Sequence, residues 1–168
     1  MKNVLLTGKP GIGKTTLIKK VIDHLKERAG GFYTEEIREG GQRKGFKIRT
    51  LDGEEGILAQ KGIKSPYRVG SYGVNLQDLD NLAWSSVKRA VEEKDLVVID
   101  EIGKMELYSK KFQEAVIEAL DSPKPLVATI GAKPHKFLDE IKARKDVELI
   151  TITPANRDKL VEEIIRKL

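Results

Sequence analysis

Gly8-Lys9-Pro10-Gly11-Ile12-Gly13-Lys14-Thr15 fits the spacing GxxxxGK[ST], and its flanks are the ones that spacing needs. Lys2-Asn3-Val4-Leu5-Leu6-Thr7 before it reads as a short buried strand. Thr16-Leu17-Ile18-Lys19-Lys20-Val21-Ile22-Asp23-His24-Leu25 after it is apolar at helical spacing. Strand, glycine loop and helix together make a cradle for an anion. Glycines let successive backbone N–H groups turn inward. A helix beginning near Gly13 adds its free N–H groups and the positive end of its dipole. Lys14 reaches phosphate as a point charge, and the Thr15 hydroxyl suits Mg²⁺. A glycine turn with a chance lysine is the plain alternative, and the flanks argue against it.

The 168 residues suffice for a single domain, 1–168, with a real core. Hydrophobic residues make up 39% and charged residues 34%, and no apolar run approaches a membrane span. The first residues already belong to a strand, so no leader is expected. Cysteine is absent, which excludes disulfides and thiolate metal sites and suits a cytoplasmic protein. The net charge of +5 permits nucleic acid as a partner. The basic residues are interleaved with acidic ones, as in Lys142-Ala143-Arg144-Lys145-Asp146, so a solvated surface is favoured and a monomer without nucleic acid is expected.

Strand-like and helical segments alternate, which predicts a mostly parallel α/β sheet. The helix from Lys14 is expected to run to Arg28 and stop at Gly30-Gly31, with a strand over Phe32–Ile37. Arg38 to Gly70 breaks the alternation with short strand-like pieces (Gly45–Thr50, Gly56–Lys61, Tyr67–Val69) and reads as an antiparallel hairpin insertion. Asn75–Glu93, Phe112–Leu120 and Pro134–Arg144 are expected helices. Leu126–Ile130 and Val147–Ile152 are expected strands. A last helix is expected from Pro154, with Thr153 as its cap.

Leu96-Val97-Val98-Ile99 is an apolar run ending in Asp100-Glu101. A run of this kind with an acidic end is common alone and informative beside a phosphate loop. Asp100 at the strand end suits Mg²⁺, and Glu101 suits an attacking water. An acidic residue directly after the aspartate resembles the RecA-like ATPases. That resemblance implies a three-layer fold whose core strands, counted along the chain, run 5-1-4-3-2. Thr129 then ends near the γ-phosphate, as a sensor or as an ordinary strand former.

Gly31-Phe32-Tyr33-Thr34-Glu35-Glu36-Ile37-Arg38, Val69-Gly70-Ser71-Tyr72-Gly73-Val74-Asn75, Val98-Ile99-Asp100-Glu101-Ile102-Gly103-Lys104-Met105-Glu106-Leu107 and Asn156-Arg157-Asp158 accompany the loop. With it they resemble the thermophile and cancer-related nucleoside-triphosphatase family over nearly the whole chain. The resemblance implies slow, Mg²⁺-dependent hydrolysis of ATP, GTP, CTP and UTP to the diphosphate and phosphate. It implies that Gly8 to Thr15, with Thr16 beside them, and Val97 to Lys104 contact the nucleotide. Within the second segment Asp100, Glu101, Ile102, Gly103 and Lys104 are expected to leave the strand on the ligand side. Lys14 and Glu101 are then the catalytic pair, and Thr15 and Asp100 the metal ligands.

Weaker candidates remain. Lys104 and Glu106 are either functional or a solvated pair. Arg38, Arg43, Arg144 and Arg157 are candidates for an arginine that neutralises transition-state charge. Glu35 or Glu36 could reach the cleft, and Asn156-Arg157-Asp158 could meet the base. His24 and His135 lack a metal-ligand partner at suitable spacing. A kinase acting on a small molecule or nucleotide, and a nucleotide-switched nucleic-acid-binding module, are the rival functions.

Overall fold

The structure is a computed structural model describing residues 2–168. β1 (Asn3–Thr7) leads through the glycine loop into α1 (Lys14–Leu25), and β2 (Ala29–Glu39), β3 (Gln42–Thr50), β4 (Glu55–Lys61), β5 (Arg68–Val69) and β6 (Tyr72–Val74) follow. α2 (Leu76–Asp78) passes through a π-helical turn, Leu79–Trp84, into α3 (Ser85–Glu93). The rest alternates: β7 (Leu96–Ile102), α4 (Lys110–Asp121), β8 (Leu126–Ile130), α5 (Lys136–Lys142), β9 (Val147–Thr151) and α6 (Arg157–Lys167).

The nine strands among the described residues join one sheet in the order β5-β6-β4-β3-β2-β7-β8-β1-β9. The parallel part, β2-β7-β8-β1-β9, is the order expected for a RecA-like core. The insertion forms antiparallel strands on one edge of the sheet, as expected. β3 pairs with the long β2 from Phe32 to Glu39, and β4, β6 and β5 continue outward antiparallel, so the same sheet is extended.

Side chains of successive strand residues alternate between faces, and this divides the core in two. Leu5, Val97, Ile99, Leu126, Ala128 and Ile130 face a layer holding Val87, Phe112, Val116, Leu138 and Ile141. Val4, Leu6, Val98 and Val127 face Leu17, Ile18 and Val21 of α1 and Leu160 and Ile164 of α6. Every residue of β1 and β8 is buried, as expected of central parallel strands covered on both faces. Phe32 and Phe112 meet edge to face with ring centroids 5.7 Å apart.

Several expected boundaries move. α1 ends at Leu25, where Lys26 takes a positive φ of 52°, and a short 3₁₀ turn (Lys26–Arg28) leads into β2. Gly30 and Gly31 therefore lie inside β2 and stop no helix. They are glycine because neighbours leave no room. A Cβ on Gly31 would sit 1.9 Å from the Val98 carbonyl oxygen, at a φ of 114°, and one on Gly30 would sit 2.8 Å from the Ala90 Cβ. Gly31→Ala is expected to lower unfolding free energy by at least about 3 kcal/mol in chemical denaturation, since the opposing atom is backbone and cannot swing away.

The last helix starts at Arg157, later than Pro154. The Thr153 N–H donates to Asn156 Oδ1 at 2.8 Å, and the Asn156 N–H donates to Thr153 Oγ1 at 3.2 Å. This reciprocal exchange closes a turn over 153–156 before the helix begins. His135 likewise caps α5, its Nδ1 accepting the Phe137 N–H at 3.1 Å.

Candidate active site

The loop between β1 and α1 turns at two glycines with left-handed backbone, Gly11 (φ 81°) and Gly13 (φ 105°). A Cβ on either would meet nothing within 4 Å, so these positions need glycine for conformation rather than for space. The first turn of α1 carries no acidic residue and no side-chain cap. Its leading N–H groups are thus offered to a ligand anion. Lys9, Pro10, Gly11 and Thr16 are exposed, whereas Gly8 is buried against Ile12 and the Ile152 carbonyl.

Lys14 Nζ stands 3.2 Å from the Gly8 carbonyl oxygen and 3.2 Å from Glu101 Oε2. Phosphate loop and acidic strand end are therefore joined by an ion pair at the mouth of the site. Thr15 makes the second link, its hydroxyl donating to Asp100 Oδ2 at 3.0 Å. Asp100 is almost fully buried and is held from both neighbouring strands. Thr129 of β8 donates to its Oδ1 at 2.6 Å, and the Thr34 N–H of β2 reaches Oδ2 at 3.4 Å. Thr129 thus serves to orient the aspartate.

Burial raises the Asp100 carboxyl to about 6; the Glu101 charge adds to the rise, and the bonds from Thr129, Thr34 and Thr15 oppose it. A cation at Thr15 and Asp100 would reverse the penalty of burying this charge. Among the described residues no three His, Cys, Asp or Glu side chains form a metal cage. One carboxylate plus one hydroxyl fits Mg²⁺, which completes its octahedron with waters and phosphate oxygens.

Several sequence candidates are placed differently. β7 runs on to Ile102, with a cis Asp100–Glu101 peptide bond and an irregularity in its pairing with β8 between Ile99 and Ile102. The chain therefore leaves the strand at Gly103, not at Asp100. The Ile102 side chain is buried in the core and its carbonyl accepts the Gly131 N–H at 3.1 Å, so neither faces a ligand. Lys104 is exposed, but Glu106 is buried, so the two are no solvated pair. Burial and the charges of Glu101 and Asp100 push the Glu106 carboxyl well above the usual carboxylate range. Its position between Met105 and Leu107 is the one hint of this in the sequence.

Of the arginines, Arg144 is locked between Asp121 (2.6 Å) and Asp146 (2.8 Å), and Arg38 and Arg43 are engaged with Glu36. Glu35 pairs with Lys19 and Arg49. Arg157 alone among the four reaches the phosphate loop, donating to the Ile12 carbonyl at 3.3 Å. Two grooves of about 410 and 570 Å³ lie around Lys26, Leu51 and Gly53, and none of their lining residues belongs to the phosphate loop or to Asp100–Lys104.

A RecA-like strand order, with a glycine loop sharing a hydroxyl–carboxylate contact with the acidic end of another strand, defines a phosphate-loop nucleotide-hydrolysing protein. A family model described as NTPase matches residues 3–165, and the chain belongs to that family of nucleoside-triphosphate hydrolases. The nucleoside-triphosphatase THEP1 of Thermotoga sp. (strain RQ2) is 56% identical over 98% of this chain and 94% of that protein. The cancer-related nucleoside-triphosphatase homolog of Bos taurus is 42% identical over 98% of this chain and 95% of its own length. The crystal structure of THEP1 from Aquifex aeolicus superposes with a TM-score of 0.90 at 42% identity, covering 98% of this chain and 97% of that one.

Proposed function

We propose that this chain hydrolyses nucleoside triphosphates to the diphosphate and phosphate with Mg²⁺, slowly and with little preference among bases. The observation that carries this is the pair of links across the site: Thr15 to Asp100, and Lys14 to Glu101. The loop amides and Lys14 hold the phosphates. Thr15 and Asp100 are the residues to hold Mg²⁺, which supplies charge neutralisation at the β- and γ-phosphate oxygens when bound. Glu101 orients the water and takes its proton. Lys14 engages Glu101 in the structure; phosphate competes for the Lys14 ammonium and leaves the carboxylate free for water.

The breadth toward bases is supported by the build of the loop, whose left-handed glycines and uncapped helix N-terminus address phosphate. Recognition then rests on phosphates that all four nucleotides share. Arg157, at the start of α6, acts on the loop rather than as a lid arginine. The engagement of Arg144 removes the arginine that best suited a kinase lid. We read residues 1–168 as one domain, acting as a monomer in the cytoplasm; among the described residues no helix is long and apolar enough to cross a membrane.

Phosphate release from ATP, GTP, CTP and UTP, with and without Mg²⁺, tests the reading. The four kcat/KM values are expected to agree within about tenfold, as recognition through the shared phosphates implies. Chelation of Mg²⁺ is expected to stop release. ADP formed only in the presence of an acceptor, without free phosphate, would instead identify a kinase. Turnover raised manyfold by nucleic acid, in a salt-sensitive way, would identify a nucleic-acid-dependent module.

A further inference from the structure

The Glu106 carboxyl takes no part in the steps above, yet it is built into the site. It sits on the 3₁₀ turn Glu106–Tyr108 just past β7 and is 4% exposed. The charges acting on it are the carboxylates of Glu101 and Asp100. Gly103 brings two of these groups together. A Cβ there would stand 2.7 Å from Glu101 Oε1 and 3.1 Å from Glu106 Oε1, so both oxygens border one small space over the Gly103 Cα. The two Glu101 oxygens thus face different ways: Oε2 meets Lys14, and Oε1 turns toward the space shared with Glu106. The Glu101 backbone N–H also acts on the Glu106 carboxyl.

We propose that Glu106 is a positioning residue for hydrolysis, holding the Glu101 side chain by Oε1 so that Oε2 meets the attacking water. The proposal rests on the reading of Glu101 as the group that orients water. Its physical basis is a division of labour. When phosphate draws Lys14 away, Glu101 loses its partner at Oε2, and a half-exposed glutamate with no second anchor would swing among rotamers. Glu106 supplies that anchor from below. Burial and the charges of Glu101 and Asp100 push the Glu106 carboxyl upward, toward the protonated form, and in that form it donates a hydrogen bond, directly or through one water. A buried acid without a cation contributes nothing to stability by its burial. Its presence at this point is explained by the hydrogen bond it offers to Glu101.

The test compares Glu106→Gln, Glu106→Met and Glu101→Gln by kcat, KM, ATP affinity and thermal melting. Gln retains shape and a donor, and is expected to keep kcat within about threefold of the parent. Met retains volume without a donor, and is expected to lower kcat at least about tenfold with KM and affinity little changed. Combined with Glu101→Gln, Glu106→Met is expected to add no further loss, because the two act as one unit. Parental kcat in Glu106→Met, or equal loss in Glu106→Gln and Glu106→Met, overturns the proposal. Should Glu106→Met not fold, Glu106→Asp replaces it: the carboxyl withdrawn by one methylene is expected to cost at least about tenfold in kcat, and parental kcat there overturns the proposal equally. Full turnover in Glu101→Gln would sink the underlying reading of Glu101, whereas an inactive Glu101→Gln beside a fully active Glu106→Met sinks this inference alone.

Discussion

Glu101→Gln is expected to cut steady-state phosphate release at least about a hundredfold, the usual scale for losing a positioned proton acceptor. Nucleotide affinity is expected to hold or tighten, by up to about fivefold. The direction of the second effect follows from the ion pair. Glu101 holds Lys14 at 3.2 Å, and that contact competes with phosphate for the ammonium. Glutamine keeps the shape and gives up the charge, so Lys14 is released from competition. Both side chains are partly exposed, at 16% and 30%, which limits the gain to about 1 kcal/mol. Phosphate-release kinetics with fluorescent-nucleotide titration checks both halves. Retained turnover would remove Glu101 from the mechanism; lost binding would make it a structural residue.

Lys14→Ala is expected to act in the opposite sense on binding. Charge-assisted bonds to phosphate are worth about 2 kcal/mol or more, so affinity should fall at least about tenfold. The same charge acts more strongly on the transition state, and kcat/KM should fall about a thousandfold. Folding stability should change by less than about 1 kcal/mol, because the pair with Glu101 is partly solvated. The two substitutions thus break the same contact and are expected to move affinity in opposite directions. Isothermal titration with a non-hydrolysable triphosphate distinguishes them, and an affinity for Lys14→Ala within twofold of the parent would refute its role at the phosphates.

Much of the site was legible because its signals are local. Gly8 to Thr15 carry a spacing whose flanks mark it as a phosphate loop, and the apolar run before Asp100 marks a buried strand. The strand order was legible through the acidic pair at 100–101 and the family resemblance, and the parallel core agrees with it. Glu106 stood among the candidates, but its burial beside Glu101 was not legible. Its burial comes from the turn after β7 folding under Gly103, a contact between segments whose sequence pattern carries no periodicity. Gly30 and Gly31 misled for a related reason: glycine marks both a helix stop and a close approach, and Val98 and Ala90, which make the approach, are distant in sequence. Arg144 stood among the candidate arginines because one of its two partners, Asp121 at the end of α4, is distant in sequence.

From residue types and spacing alone came an anion cradle, a carboxylate to face it, and a parallel sheet to carry both. These are consequences of backbone freedom, charge and hydrophobic period, which act within a few residues. The tertiary structure alone decided which groups meet: Lys14 with Glu101, Thr15 and Thr129 with Asp100, Arg157 with the loop carbonyl, and Glu106 beneath Glu101. Such contacts depend on the register of β7 against β2 and β8 and on where each strand ends. Register and strand ends are set by packing across the whole sheet.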